Sequence, residues 1–95
     1  MSILVTGIGI ISAIGNNVNE NRTSLINKAS GITTLSLFNS RYAGLRPCGE
    51  IKIETTALKN RLNAFEKGVT RSSLLALHAF DEAVADAKLS LSQLQ

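Results

Sequence analysis

Residues 3–15 read Ile-Leu-Val-Thr-Gly-Ile-Gly-Ile-Ile-Ser-Ala-Ile-Gly, and the succession of strand-like and turn-like residues in this stretch decides the fold. Residues 3–9 are apolar and β-branched with little polar alternation, which is typical of a strand buried on both faces. The glycines then interrupt the apolar run, and Asn16 and Asn17 are good N-cap residues for a helix. The sequence therefore predicts a buried strand followed by a helix, the beginning of an α/β fold.

A helix and a second strand extend this prediction. The helix carries one narrow apolar stripe, and Gly31 stands where its C-terminal cap belongs. The members of the stripe are Val18, Leu25, Ile26 and Ala29, with the stem of Arg22 at its edge. Residues 32–47 mix small polar residues with Phe38 and Tyr42, which predicts a surface loop anchored by these two rings. Residues 49–53 alternate charged and apolar side chains, so we expect a short edge strand there.

Two more helices are predicted, and the second has the strongest periodicity in the chain. Thr55 and Thr56 are candidate caps for a helix through residue 65, and Thr70 is a candidate cap for a helix over 71–89. The apolar face of that last helix contains Ala76, Leu77, Phe80, Ala83, Val84 and Ala87. The opposite, polar face contains His78, Asp81, Glu82, Asp86 and Lys88. Because small side chains let another element approach closely, we expect this helix to lie deep in a layered α/β structure.

Length and composition limit the chain to one small domain. It has 95 residues, a mass of 10.1 kDa and 44% hydrophobic residues, enough for one core but not for two. Cys48 is the only cysteine and His78 the only histidine, which excludes an internal disulfide and a four-ligand zinc site. We expect no metal and no cofactor.

The N-terminus lacks the basic start of a signal peptide, and no apolar run reaches the roughly 18 residues of a membrane span. We therefore expect a cytoplasmic protein.

The positive charge of the chain is local. Ten Lys and Arg against seven Asp and Glu give a net charge of +3, and residues 59–71 account for all of it. A nucleic-acid-binding module normally adds exposed aromatic residues or a recognition helix, and the sequence shows neither pattern. We therefore expect no nucleic-acid partner.

The glycines of the first stretch suggest one alternative function, that of a small nucleotide-binding α/β protein. A dinucleotide fingerprint needs its third glycine where this chain has Ser12, and the short-chain variant needs glycine where it has Ile11 and Ala13. About 20 residues after the turn, where an acidic ribose ligand belongs, the chain has Lys-Ala-Ser at 28–30. Tight turns therefore explain these glycines better than phosphate binding does.

Four pieces of sequence, taken together, carry a family resemblance. They are Val-Thr-Gly-Ile-Gly-Ile-Ile-Ser-Ala-Ile-Gly-Asn-Asn-Val at 5–18, Ser-Leu-Ile-Asn-Lys-Ala-Ser-Gly-Ile at 24–32, Cys-Gly-Glu-Ile at 48–51 and Leu-Ala-Leu-His-Ala-Phe-Asp-Glu-Ala-Val-Ala-Asp-Ala-Lys-Leu at 75–89. In order and spacing they resemble the N-terminal segment of β-ketoacyl-[acyl-carrier-protein] synthases, and the likeness covers residues 2–89. The resemblance implies a thiolase-like fold, of which residues 1–95 form the N-terminal part of one domain, with no second domain. The expected elements are a strand, a helix, a short edge strand and two helices, in a sheet that is incomplete within this chain.

The resemblance also implies an acyltransferase reaction of fatty-acid or polyketide-type synthesis. In this family an acyl chain on an active-site cysteine is attacked by a carbanion from malonyl carrier protein, which is a decarboxylative Claisen condensation. The family's catalytic cysteine, two histidines and lysine fall beyond the matched positions, so we expect the chain itself to be inactive. Cys48 stands where the family usually has a small residue, and His78 matches no catalytic position, so we expect both to be ordinary structural residues.

The expected partners follow from the same resemblance. Acyl carrier proteins are acidic, and Lys67 falls in the basic run with which the family docks them, with Arg71 one helical turn further on. A solvated helical face is the alternative interpretation of these two charges. Because the strand over 3–9 would lack neighbours, we also expect a homo-oligomer. A freestanding carrier-protein-binding or assembly module is the alternative function, and it would need a closed core of its own.

Overall fold

The structure, a computed structural model, describes residues 2–37 and 41–94, without the side chains of Leu91 and Leu94. The predicted mixture of helices and strands is confirmed, since the chain combines α-helices with a two-stranded antiparallel sheet. The elements in chain order are α1 (Val18–Ile26), β1 (Thr33–Thr34), β2 (Pro47–Cys48), α2 (Thr55–Leu62), α3 (Arg71–Ala87) and a short 3-10 helix (Leu91–Leu94). Phe38, which we expected to anchor the loop, lies outside the described residues.

Helix α1 begins where the sequence predicts and ends sooner. The side chain of Asn17 accepts a hydrogen bond from the backbone N–H of Glu20 at 2.9 Å, so the predicted cap is confirmed. The helix stops before Lys28, whose backbone is left-handed with φ 56°. The cap that we expected at Gly31 is therefore wrong. Gly31 is buried against Ala13 instead, and a Cβ atom at residue 31 would lie 2.7 Å from the Ala13 carbonyl carbon.

Helix α3 has the predicted start. The hydroxyl of Thr70 accepts a hydrogen bond from the backbone N–H of Ser73 at 3.2 Å, which confirms Thr70 as the cap. The helix ends at Ala87, two residues before the predicted end, because Lys88 takes a left-handed conformation with φ 58°. The 17 residues of α3 make it the longest element among those described.

Helix α2 packs against α3 and forms the core with it. The cap predicted at Thr55 or Thr56 is wrong, because the N-cap residue is Glu54, whose side chain makes no capping hydrogen bond. The helix ends at Leu62, three residues before the expected position. Within the described residues, the two hydrophobic side chains that are fully buried are Leu58 of α2 and Leu74 of α3.

Three of the four residues of the sheet lie in residues 32–47, which we expected to form a surface loop. Strands β1 and β2 are antiparallel, with Thr33 opposite Cys48 and Thr34 opposite Pro47. The edge strand expected over 49–53 is absent from the described part of the chain, where the strand pairing ends at Cys48.

The side chains of Glu50 and Lys52 hold residues 49–53 to their neighbours. The carboxylate of Glu50 accepts hydrogen bonds from the backbone N–H groups of Ser36 at 3.1 Å and Leu37 at 2.9 Å. The ammonium group of Lys52 donates to the carbonyl of Gly31 at 2.9 Å. These contacts tie the segment to its neighbours through side chains, without a backbone ladder.

Residues 3–10, called the N-terminal segment from here on, run along α3. The backbone N–H of Ile8 donates to the Asp86 carboxylate and that of Ile10 donates to the Glu82 carboxylate, both at 3.0 Å. Ile8 and Ile10 are two residues apart, and their partners Asp86 and Glu82 are four residues apart on the helix. Both intervals span about 6 Å, so the segment has the rise per residue of an extended chain.

The strand predicted over residues 3–9 is therefore extended but unpaired. No described residue forms a β-ladder with it. A strand needs a second backbone as its hydrogen-bonding partner, and here carboxylates of α3 take that place for two of the N–H groups.

The N-terminal segment approaches α3 as closely as two backbones allow. A Cβ atom at Gly7 would lie 2.7 Å from the backbone nitrogen of Ala87, and one at Gly9 would lie 2.8 Å from that of Ala83. Only a residue without a side chain fits at these two crossing points, and only a helix face of small residues accepts such a neighbour. Ala79, Ala83 and Ala87 form this face, called the alanine face, which receives the extended segment. Of the predicted apolar face, Ala76, Leu77 and Phe80 are instead exposed.

The chain exposes more surface than a compact monomer of its mass. The accessible area is 7325 Å², whereas a folded monomer of this mass is expected to expose about 5,300 Å². The radius of gyration is 15.6 Å, against about 12 Å for a compact chain of this length.

None of the helices in the described ranges combines the length and apolar character needed to cross a bilayer.

Candidate functional site

Lys67 and Arg71, the predicted docking residues, lie at the start of α3 in different surroundings. Lys67 is exposed in the turn before the helix, next to Gly68 with φ 85°. Arg71 is half-buried and is the first residue of α3. Its guanidinium donates to the hydroxyl of Thr55 at 3.1 Å and to the carbonyl of Ile51 at 2.8 Å. Arg71 therefore ties the start of α3 to the start of α2, and Lys67 presents its charge to solvent.

Two further basic residues extend this positive surface. Lys59 and Arg61 lie in the last turn of α2, where Arg61 is exposed and Lys59 is half-buried. Cations are favoured at that end of a helix by the partial negative charge of its carbonyl groups. Glu66 is the one acidic residue in residues 59–71, and it is exposed. The surface over α2 and the following turn can therefore attract an acidic partner through water.

A cleft of about 380 Å³ opens beside Arg71. Its walls include Leu35, Cys48, Glu50, Ile51, Arg71 and Leu75. Both charged groups of the cleft are used within the fold, since Arg71 binds Ile51 and Thr55 and Glu50 accepts from Ser36 and Leu37. The cleft therefore offers mainly apolar contacts.

Cys48 and His78 do not form a catalytic pair. The Cys48 thiol is exposed in β2. His78 is half-buried on α3, and its Nε2 donates to the carbonyl of Asn16 at 2.6 Å. In residues 2–37 and 41–94 no hydrogen bond joins thiol and imidazole, and no group of three His, Cys, Asp or Glu residues could hold a metal ion. The arrangement lacks the nucleophile–base contact of nucleophilic catalysis.

Glu82 and Asp86 accept backbone hydrogen bonds that hold the fold together, a role that the sequence did not indicate. The sequence predicts both on the polar face of α3, opposite its apolar face. In the structure, Glu82 accepts from the N–H of Ile10 at 3.0 Å with one carboxylate oxygen and from the N–H of Val18 at 2.9 Å with the other. Glu82 thus joins α3, the N-terminal segment and the first turn of α1. The signal that could have identified the two acids is their spacing of four residues beside the alanine face.

The same contacts bear on the alternative of nucleotide binding. A phosphate at the N-terminus of α1 would need the free N–H groups of its first turn. The N–H of Val18 already donates to Glu82, and the N–H of Glu20 donates to the side chain of Asn17. The side chains of the chain itself therefore occupy the position that an anion would take.

We expect the change Glu82→Gln to lower the free energy of unfolding by about 1–2 kcal/mol. A glutamine keeps one acceptor oxygen and turns an NH₂ group toward the second N–H, which leaves either Ile10 or Val18 without a partner. The matched control is Asp81→Asn, since Asp81 is exposed on the same helix and should change stability by less than about 0.5 kcal/mol. Urea denaturation at one protein concentration measures both. Equal effects of the two changes would contradict a role of Glu82 in joining the three elements.

Sequence comparisons give the chain a family context. It is 35% identical over 95 residues to 3-oxoacyl-[acyl-carrier-protein] synthase 1 of Buchnera aphidicola subsp. Schizaphis graminum, with 98% of this chain and 23% of that protein covered. The synthase 1 of Escherichia coli strain K12 is 34% identical over 87 residues, with coverages of 92% and 21%. Synthase 2 of a Synechocystis species is 31% identical over 93 residues, with coverages of 97% and 22%.

Other comparisons add no further relative. No protein-family profile matches the chain, and no solved structure matches it. The chain spans between a fifth and a quarter of the length of the curated relatives that it matches. The resemblance seen in residues 2–89 is thus confirmed by several named synthases from different organisms. The chain is related in sequence to the 3-oxoacyl-[acyl-carrier-protein] synthases, that is, to the β-ketoacyl synthases.

Proposed function

We propose that this chain is part of a β-ketoacyl-[acyl-carrier-protein] synthase that condenses an acyl thioester with malonyl carrier protein in fatty-acid or polyketide-type synthesis. One observation carries the proposal: named synthases of this kind match nearly the whole chain at 31–37% identity. The reaction is a decarboxylative Claisen condensation, in which an acyl group on a cysteine receives a carbanion from the malonyl thioester.

Within such a synthase, we place residues 1–95 at the N-terminus of a thiolase-like domain. The extended but unpaired N-terminal segment supports this placement, because a strand of apolar residues gains most when other strands flank it. The alanine face of α3 supports it as well, since a helix of small residues packs closely on a sheet. The expected domain boundary encloses the whole chain in one domain.

Acyl carrier protein is the proposed partner, and Lys67 with Arg71 is its proposed docking point. Three features support this assignment: the net charge of +3 in residues 59–71, the exposure of Lys67 and the fixed position of Arg71. Charges that act through water steer an acidic partner and are screened beyond ~8 Å at physiological ionic strength. Docking on this surface alone should therefore be weak and sensitive to salt.

The change Lys67→Glu tests this docking surface. We expect it to weaken binding of an acidic acyl carrier protein about tenfold, because one attraction becomes a repulsion. Arg22→Glu is the matched control, since Arg22 is exposed on α1, away from residues 59–71, and undergoes the same change of charge. Titration of labelled carrier protein, followed by chemical-shift changes, measures both affinities. Equal losses in both variants, or none in either, would assign Lys67 to a solvated face.

The variant Arg71→Glu is also expected to weaken binding, as a second test of the same surface. Arg71 holds Ile51 and Thr55, so this variant needs a measurement of helix content beside the binding assay. A variant that keeps its helices and binds as well as the unchanged protein would remove Arg71 from the docking point.

The 95-residue chain by itself is expected to have no condensing activity. Its one cysteine is exposed and has no imidazole partner, and its one histidine is engaged with the Asn16 carbonyl. Both acylation of a cysteine and polarisation of the malonyl thioester require positioned partners. Incubation with an acyl donor and malonyl carrier protein, followed by mass spectrometry, should show no ketoacyl product and no acylated Cys48. Stoichiometric acylation of Cys48 that leads to product would overturn this expectation.

A further inference from the structure

We propose that Arg71 is a positioning residue of the docking surface: it fastens the start of α2, and through this helix it sets where the charges of Lys59 and Arg61 lie. The inference rests on the proposed docking of an acidic carrier protein and adds how the positive surface is held in place. Lys67 meets the partner directly, whereas Arg71 acts through the helix beside it.

Helix α2 has no side-chain cap of its own. Its N-cap residue is Glu54, whose side chain makes no capping hydrogen bond, whereas α1 and α3 are capped by Asn17 and Thr70. The helix has eight residues, and helices shorter than about 12–15 residues are marginal without contacts outside themselves. The start of α2 therefore depends on a fastening from another part of the chain.

Arg71 supplies this fastening. As the first residue of α3 it reaches the first residue of α2, because its Nη1 donates to the Thr55 hydroxyl at 3.1 Å. Its Nη2 donates to the carbonyl of Ile51 at 2.8 Å. Two donors of one planar guanidinium on two acceptors fix direction as well as distance. The two bonds therefore hold the segment before α2 and the first turn of α2 in one arrangement.

The fastening complements the apolar packing of α2. Leu58 is the buried residue of this helix, and apolar contacts are non-directional, so they hold α2 against α3 without fixing its orientation. Arg71 attaches the helix about one turn earlier, at Thr55. Lys59 and Arg61 lie in the last turn of the same helix. A shift at the start of α2 therefore moves the charges at its end.

The position of these charges matters more to a partner than the charge of Arg71 itself. Arg71 is half-buried and donates to two groups of the fold, whereas Arg61 and Lys67 are exposed. Attraction through water falls with distance and is screened beyond ~8 Å at physiological ionic strength. Loss of the fastening should therefore weaken docking even where no charge is removed.

Thr55→Val tests the inference, because it removes one acceptor of Arg71 and changes no charge. We expect the dissociation constant for an acidic acyl carrier protein to rise at least about threefold. Thr56→Val is the matched control, since Thr56 is exposed on the same helix and should leave the affinity unchanged. Thr55→Ser keeps the hydroxyl and should bind as the unchanged chain does. Titration of labelled carrier protein measures the affinities, and circular dichroism checks that helix content is preserved.

Arg71→Lys gives a second test in which the charge is kept. A single ammonium group cannot replace the planar fork, so this change should also weaken binding at least about threefold. Arg22→Lys is its control, since Arg22 is exposed on α1. Unchanged affinity in Thr55→Val and Arg71→Lys, with Lys67→Glu still weakened, would overturn the positioning role and leave the docking surface in place. Equal effects of Lys67→Glu and Arg22→Glu would instead overturn the docking surface, and this inference with it.

Hydrogen exchange of α2 tests the fastening without any partner. The N–H of Leu58 donates to the carbonyl of Glu54 at 3.1 Å, the bond that closes the first turn of the helix. This amide should exchange at least about threefold faster in Thr55→Val than in Thr56→Val, because the first turn opens more often once its attachment is weakened. Equal exchange rates in the two variants would contradict a fastening of α2 by Arg71.

Discussion

Replacing Leu74 by alanine is expected to lower the free energy of unfolding by about 2–5 kcal/mol. Leu74 of α3 and Leu58 of α2 are both 0% exposed, and they lie in the helix pair that forms the core. Removal of three carbon atoms from such a site loses their transfer free energy and leaves a cavity. A small domain has a total stability of about 5–15 kcal/mol, so a loss of this size removes a large part of it.

Leu25→Ala is the control for this prediction. Leu25 is 70% exposed on α1, so the same chemical change should alter stability by less than about 0.5 kcal/mol. Urea denaturation followed by circular dichroism measures both variants at one protein concentration, because self-association would add to the apparent stability. A Leu74→Ala variant as stable as Leu25→Ala would show that the packing of α2 on α3 does not hold the chain together.

The second large effect is expected at Gly9. A methyl group at residue 9 would overlap the carbonyl of Ala79 and lie 2.8 Å from the backbone nitrogen of Ala83. The obstructing atoms belong to the backbone of α3, so a side-chain rotation cannot relieve the clash. Gly9→Ala should therefore lift the N-terminal segment from the helix and lower stability by about 1–3 kcal/mol. The hydrogen bonds of Ile8 and Ile10 to the acids of α3 should be lost with it.

Gly49→Ala is the matched control for Gly9→Ala. Neither glycine has a positive φ, so backbone strain does not separate the two changes. At residue 49 the nearest atom to a new methyl group is a terminal carbon of Ile32 at 3.5 Å, an ordinary contact. Limited proteolysis should cleave the N-terminal segment faster in Gly9→Ala and at an unchanged rate in Gly49→Ala. Equal cleavage rates in the two variants would contradict the close crossing of the segment and α3.

Leu74 and Gly9 lie in different parts of the molecule. The pair Leu58 and Leu74 holds α2 to α3, whereas Gly9, together with Glu82, holds the N-terminal segment and α1 to the other side of α3. The proposed docking surface at Lys67 belongs to the first part. A change at Gly9 or Glu82 should therefore leave the binding of an acidic carrier protein measurable.

Local sequence was enough to predict the starts of α1 and α3 and the family resemblance. Side-chain caps at Asn17 and Thr70 act within three residues, so the starts of α1 and α3 follow from local sequence. The small side chains of α3 predicted a close neighbour, and Ala83 and Ala87 have one, whereas Leu77 and Phe80 of the same predicted face are exposed. Motif order was sufficient to identify the β-ketoacyl synthase resemblance that the comparisons confirm.

The strands and the roles of the charged side chains depend on contacts between distant parts of the chain. A strand is defined by a partner that lies far away in sequence, and the described chain pairs β1 with β2 while residues 3–10 meet α3. Whether an acid on α3 faces solvent or accepts from a backbone depends on which segment passes it, as the double contact of Glu82 shows. The same holds for Arg71, whose guanidinium binds groups 16 and 20 residues away. Such contacts form only after packing, because hydrogen-bonding groups take the partners that folding brings within reach.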